Sequence, residues 1–158
     1  MARVLVAYYS ASGNTKKMAE KIAEIIKKNG VDTDLKNVED VEASALTKYD
    51  GIVLGSPTYY GTMAYQVKKL LDESVSFHGS LKGKVGGSFS SAANIAGGNE
   101  TTITDILNAL LIHGMVVQGE PQGDHYGPVA IGSPDARSLK CCERHAINIA
   151  KLVLKLHG

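Results

Sequence analysis

Only two cysteines occur in the chain, Cys141 and Cys142, and they are adjacent. Adjacent cysteines make no CxxC pair, and no His/Cys cluster stands at metal-ligand intervals, so neither a dithiol redox centre nor a metal site is expected. The pattern fits a reducing compartment, with one thiol packed and one in solvent on the last helix. Long apolar runs are missing as well. Val4-Leu5-Val6-Ala7 is far too short for a signal segment or a membrane span, which makes a cytoplasmic protein with no membrane partner the expectation. No charge of one sign dominates: 17 Lys and Arg against 16 Asp and Glu leave a formal net charge of +1 with the signs interleaved. That excludes a basic stripe for nucleic acid and an acidic tail. Repeats and low-complexity linkers are absent, and the 17 glycines sit at turns and loop ends. Nothing divides the 158 residues, whose 44% hydrophobic content suffices for one domain, residues 1–158, with a substantial core.

What the chain does have is an alternation of apolar runs with stretches of helical period. Strands are predicted at Val4 to Tyr9, Asp32 to Val38, Gly51 to Gly55, Val85 to Ser90 and Met115 to Val117. Between the first two, Met18, Ile22, Ile25 and Ile26 mark one helix face, ended by Asn29-Gly30. Met63 to Leu71, Ile103 to Leu111 and Ala146 to Leu156 mark three more helices, and Val41 to Lys48 reads as a weak helix or irregular connector. Alternation in the second strand gives it the character of an edge. The expected fold is α/β: a doubly wound, five-stranded parallel sheet of order 2-1-3-4-5 with helices on both faces.

Three loops follow the carboxyl ends of strands in that plan, where doubly wound sheets bind ligands. The first is Ser10-Ala11-Ser12-Gly13-Asn14-Thr15, between the first strand and a long helix. Small residues, three hydroxyls, Gly13 and the free N–H groups of a helix start suit a phosphate held by dipoles, since none of the six side chains is charged. Neither GxxxxGK[ST] nor GxGxxG matches there. Taken alone, the six residues serve equally well as a turn and helix N-cap. The second loop contains Pro57, Thr58, Tyr59, Tyr60 and Gly61, with two rings able to stack on a flat ligand or to lie half-buried at the surface. The third, Ser91-Ala92-Ala93-Asn94-Ile95-Ala96-Gly97, offers closely spaced backbone N–H groups. A phosphate site, aromatic rings and backbone donors in one place suit a flavin mononucleotide better than a bare phosphate.

The first loop resembles the FMN phosphate loop of flavodoxin-like proteins. The segment Gly55-Ser56-Pro57-Thr58-Tyr59-Tyr60-Gly61-Thr62-Met63, then Phe89-Ser90-Ser91, Gly97-Gly98-Asn99-Glu100-Thr101-Thr102 and His113-Gly114-Met115, resembles the WrbA-type NAD(P)H:quinone oxidoreductases. The resemblance implies that Ser10 through Thr15 hold the FMN phosphate, that Thr58, Tyr59 and Tyr60 lie beside the ribityl chain and ring, and that Ser91 through Gly97 face the pyrimidine edge. It implies NAD(P)H as a transient electron donor and a quinone as acceptor, and it carries a homo-oligomer as an expectation. Three departures bear on quinone binding and tetramer assembly. Ile112-His113 stands where the family commonly has two histidines, the connectors after the second and fifth strands are short, and Ala92 to Ala96 replaces a glycine-rich stretch.

Flavin chemistry needs no protein nucleophile; the protein binds, orients and tunes. His113, at a helix end, and His125, in the Pro121 to Pro128 excursion, are the two side chains expected to reach the reacting centre, with helix capping the competing role for His113. Two function classes stay open here: an FMN-dependent quinone reductase, and a one-electron carrier that docks to a redox partner protein. The three loops carry almost no acid, and the near-neutral balance favours the first. A receiver-type signalling domain would need acidic residues where Tyr9-Ser10 and Gly55-Ser56 stand.

Overall fold

Val4 and Val6 point to one face of the first strand and Leu5 and Ala7 to the other, and all four are fully buried, as a central strand covered on both sides requires. The computed structural model describes residues Met1–Gly158. Strand β1 (Arg3–Tyr8) pairs in parallel with β2 (Asp32–Asn37) on one side and β3 (Gly51–Tyr59) on the other. β2 is the edge its pattern predicts: none of its residues is fully buried, and Asp32 and Asp34 reach the Arg3 guanidinium at 3.2 and 3.1 Å. Strand β5 (Val85–Ala92) continues the sheet beside β3.

The sheet has seven strands rather than the expected five. Its main path runs β2-β1-β3-β5 and ends on a two-residue strand, Val116–Val117, with two further short strands off the path. One is β4 (Thr62–Met63), which turns back antiparallel on the end of β3. The other arises because the last strand is interrupted. β6 (Val116–Val117) pairs with Val85 and Gly86 at the start of β5, residues 118–128 leave the sheet, and β7 (Val129–Ile131) returns to pair with Ser90 to Ala92. Strands of two or three residues are too short for alternation to announce them. β3 and β5 also run further than predicted, to Tyr59 and Ala92, so part of the second and third loops is strand.

Helices α1 (Asn14–Lys28) and α4 (Ala136–His157) cover the face that carries Val4, Val6, Val53, Val85 and Phe89. Helices α2 (Tyr65–Glu73) and α3 (Asn99–Ile112) cover the face that carries Leu5, Ala7, Ile52 and Leu54. The helical stripe of α1, Met18, Ile22, Ile25 and Ile26, is buried, each such side chain contributing roughly 1.5–3 kcal/mol. The connector after β2 forms two 3₁₀ turns, Val38–Asp40 and Ala43–Lys48. α4 starts on a reciprocal capping box between Asp135 and Ser138. No helix is long and apolar enough to cross a membrane. Because the strands of the main path are parallel, their carboxyl ends gather at one edge of the sheet, where α1 and α3 also begin.

Candidate functional site

At that edge the first loop turns through Gly13, the N-cap of α1, at a φ of 91° that favours glycine. Its missing side chain leaves the cap position without a side-chain hydrogen bond. The first intrahelical bond is donated by Lys17 N to the Gly13 carbonyl at 3.1 Å, so the N–H groups of Asn14, Thr15 and Lys16 have no partner in the helix. Ser10 Oγ is turned inward and accepts from Gly13 N at 3.0 Å, which shapes the loop. Lys16 lies along the helix near Glu20, and Lys17 reaches Ser133, so neither ammonium dominates the loop.

The second loop leaves β3 through Pro57 and Thr58 and closes as a two-residue hairpin in which Tyr59 pairs with Thr62. Such a turn needs positive φ at both central residues, and Tyr60 and Gly61 have 50° and 81°. An aromatic residue in that region is uncommon, and the Tyr60 ring is held wholly in solvent. The start of α3 anchors this turn. Thr101 Oγ1 donates to the Gly61 carbonyl, Thr62 Oγ1 donates to Asp105 at 2.6 Å, and Thr102 Oγ1 donates to Thr58 Oγ1 at 3.1 Å. A Cβ on Gly98 would lie 2.5 Å from the Gly61 Cα. The Gly97-Gly98-Asn99-Glu100-Thr101-Thr102 segment therefore docks the second loop. Tyr59 is half-exposed, and burial with the neighbouring Tyr9 raises its phenol pKa, keeping it a neutral donor.

The three loops meet in a cavity of about 180 Å³ lined by Ala11, Ser12, Asn14, Thr15, Pro57, Thr58, Tyr59, Ser91, Ala92, Ala93 and Gly132. No lining residue carries a formal charge at neutral pH. Ten of the expected residues are brought together there. Ser10 and Gly13 shape the first loop through their own hydrogen bond, and Tyr60, Gly61, Asn94, Ile95, Ala96 and Gly97 line no part of the cavity, Ile95 standing in a neighbouring one with Glu100 and Asp135. Ile95 is exposed, and Ala96 takes a positive φ of 57°. Gly132 was not among the residues expected. It enters the cleft because β7 returns to the sheet, and the Ile131-Gly132-Ser133 turn after an apolar pair was the available signal. Ser91 differs from expectation in direction: its hydroxyl meets Thr15 Oγ1 at 2.8 Å, pointing to the phosphate-loop side of the cleft.

His113 is a correction, and His125 lines no part of the cavity. α3 begins at the cleft, and its 14 residues rise about 20 Å, so His113 at its C-cap lies at the opposite edge of the sheet. Ser74 Oγ donates to the Leu71 carbonyl at 2.6 Å and is 2.7 Å from His113 Nε2. With that hydroxyl proton committed, Nε2 must be the donor and Nδ1 a bare acceptor, buried without a partner. Burial and His78 both lower the pKa of His113, so it stays neutral. His125 is exposed, with Nδ1 2.8 Å from the Glu120 carbonyl. Its segment is tied to α4 through Arg137 to Asp124, Arg144 to the Gln122 carbonyl and Asn148 to Glu120, and it lines no part of the cleft. Cys142 is buried, its thiol pushed up to about 12 mainly by desolvation, while Cys141 is partly exposed.

Residues 5–102 match the model of the flavodoxin domain family. A flavodoxin of Clostridium saccharobutylicum is 36% identical over 133 residues, covering 84% of this chain and 78% of that protein. An NAD(P)H dehydrogenase (quinone) of Rhodopseudomonas palustris strain BisA53 is 34% identical across the whole of both chains, in an alignment of 199 positions. Among solved structures, the flavodoxin, WrbA-like protein from Agrobacterium tumefaciens superposes with a TM-score of 0.83 over 99% of both chains at 25% identity.

Proposed function

Because the chain belongs to the flavodoxin domain family, we propose that its cleft binds FMN and that the protein passes two electrons from NAD(P)H to a quinone-type acceptor. The residues present fit the phosphoryl end of such a ligand. Three first-turn N–H groups of α1 are unpartnered, the glycine N-cap supplies no side chain to occupy them, and the hydroxyls of Ser12 and Thr15 lie beside them. Bound FMN supplies hydride acceptance and electron donation to the acceptor. Asn14, Thr15 and Lys16 hold the anion through their N–H groups, aided by Ser12. Pro57, Thr58 and Tyr59 form one wall, and the exposed side chains of Tyr60 and Ile95 would be free to cover the ring and screen it from water. Ala93 through Ala96 would offer backbone donors to the electron-rich edge, where negative charge develops on reduction, while the Gly97 N–H is committed to the Asn94 carbonyl.

One observation carries the choice between two-electron and one-electron work: no carboxylate lines the cavity where the three loops meet, and Glu100, Asp124 and Asp135 stand in the neighbouring cavity beside Ile95, next to the Arg137 guanidinium. Carboxylates packed around a bound ring oppose the added negative charge, whereas hydroxyls, N–H dipoles and a helix start accept it. The relatives named NAD(P)H dehydrogenase (quinone) that align over the full length support the same reading. The test is anaerobic absorbance of the FMN-loaded protein, mixed with NADH or NADPH and then with benzoquinone. Bleaching by the nicotinamide followed by recovery with the quinone is expected. Bound FMN that bleaches only with dithionite or a reductase protein would replace this reading with that of a carrier.

A further inference from the structure

Thr15 and Ser91 stand 76 residues apart in sequence, yet their hydroxyl oxygens are 2.8 Å apart, with only 1% and 6% of the residues exposed. Neither hydroxyl has another protein partner. Thr15 is in the first turn of α1, beside the unpartnered N–H groups, whereas Ser91 is fixed in β5 between β3 and β7, opposite Pro57 and Ala130. Each hydroxyl has one proton to give and lone pairs to accept with. Without an anion, either can be the donor. Once an anion sits on the helix start, the single Thr15 proton turns to it, and the bond between the two hydroxyls persists only with Ser91 donating.

We propose that Ser91 is a positioning residue for the phosphate: its hydroxyl donates to Thr15 Oγ1 and fixes the Thr15 proton toward the anion, so that the cleft selects the phosphorylated flavin over riboflavin. This rests on the FMN reading above. A hydroxyl that accepts one bond becomes a stronger donor in the next, so Ser91 strengthens a contact it does not make. The direction matters, because a serine that merely filled space would act equally on both flavins.

Dissociation constants for FMN and riboflavin, measured by flavin fluorescence quenching on the wild-type chain, Ser91→Ala, Thr15→Val and the double variant, test it. The ³¹P resonance of bound FMN reports the phosphate environment directly. Ser91→Ala should weaken FMN about tenfold and riboflavin by less than about twofold, and in the Thr15→Val background it should add nothing. The ³¹P resonance should move in Ser91→Ala. Equal weakening of both flavins, or an undiminished Ser91→Ala effect without the Thr15 hydroxyl, would overturn the relay while leaving FMN as the ligand. A wild-type chain that binds riboflavin as well as FMN, or neither, would overturn the FMN reading itself and the relay with it.

Discussion

On the FMN reading, Tyr60 is a position that would serve binding at the expense of folding. Its φ of 50° places an aromatic residue in the left-handed region, and its ring gains no contact in return because it is fully in solvent. Asparagine tolerates that region, so Tyr60→Asn should stabilise the flavin-free protein by about 1 kcal/mol, read as a higher urea midpoint. The same change removes a ring face from the flavin site and should weaken FMN by up to about tenfold. The two effects have opposite signs, and a fall in both stability and affinity would show that the ring packs in the free protein. Ser91 makes a related point at the same scale. Its residue type was legible, but its direction depends on β5 continuing to Ala92, two residues beyond where the apolar run gave out.

Among the elements, α3 does the most to organise the site. Its first two turns hold the β3–β4 hairpin through Thr101, Thr102 and Asp105, and its C-terminal end carries His113 away to the far edge of the sheet. Thr101→Val removes one of these ties, at a cost of about 0.5–1.5 kcal/mol felt locally. Hydrogen exchange should then quicken at Gly61, Thr62 and Met63 and stay slow in β5; uniform loss of protection would mean that the tie supports the whole fold. Much of this architecture could be read in advance. Apolar runs gave the main strands, helical period gave α1 to α3 and the second half of α4, which begins at Ala136 rather than Ala146, and glycines with hydroxyl residues marked the loops at the strand ends. The interruption of the last strand was not legible, since Val116–Val117 and Val129–Ile131 are shorter than any period. The distance of His113 from the cleft is itself legible in the sequence: a helix that starts at the cleft cannot also end there.

Across the molecule, acid should act through a buried imidazole. His145 of α4 faces the β5 backbone so closely that a Cβ on Gly87 would lie 2.9 Å from its Nε2, an atom with no hydrogen-bond partner. Burial pushes its pKa down to about 4, against the small opposing effect of Glu120. Between the ordinary value of 6.5 and about 4, the unfolded chain binds a proton that the folded chain refuses. Stability is therefore complete above that window and falls by about 1.4 kcal/mol per pH unit as pH drops through it, with His113 adding in the same direction. Urea midpoints at pH 7 and pH 5 measure the slope, and His145→Leu should flatten it; an unchanged slope would assign the acid sensitivity elsewhere. Residues 118–128 leave the sheet between two short strands that both pair with β5, and they are held to α4 through Glu120, Gln122 and Asp124. Chain can be added at their exposed positions without moving a core side chain where those ties and the buried Gly127-Pro128 return are kept, each doubling of loop length costing about 0.6 kcal/mol. That edge is the growth point of the scaffold, where a lid or a docking arm can be grafted while the three cleft loops stay as they are.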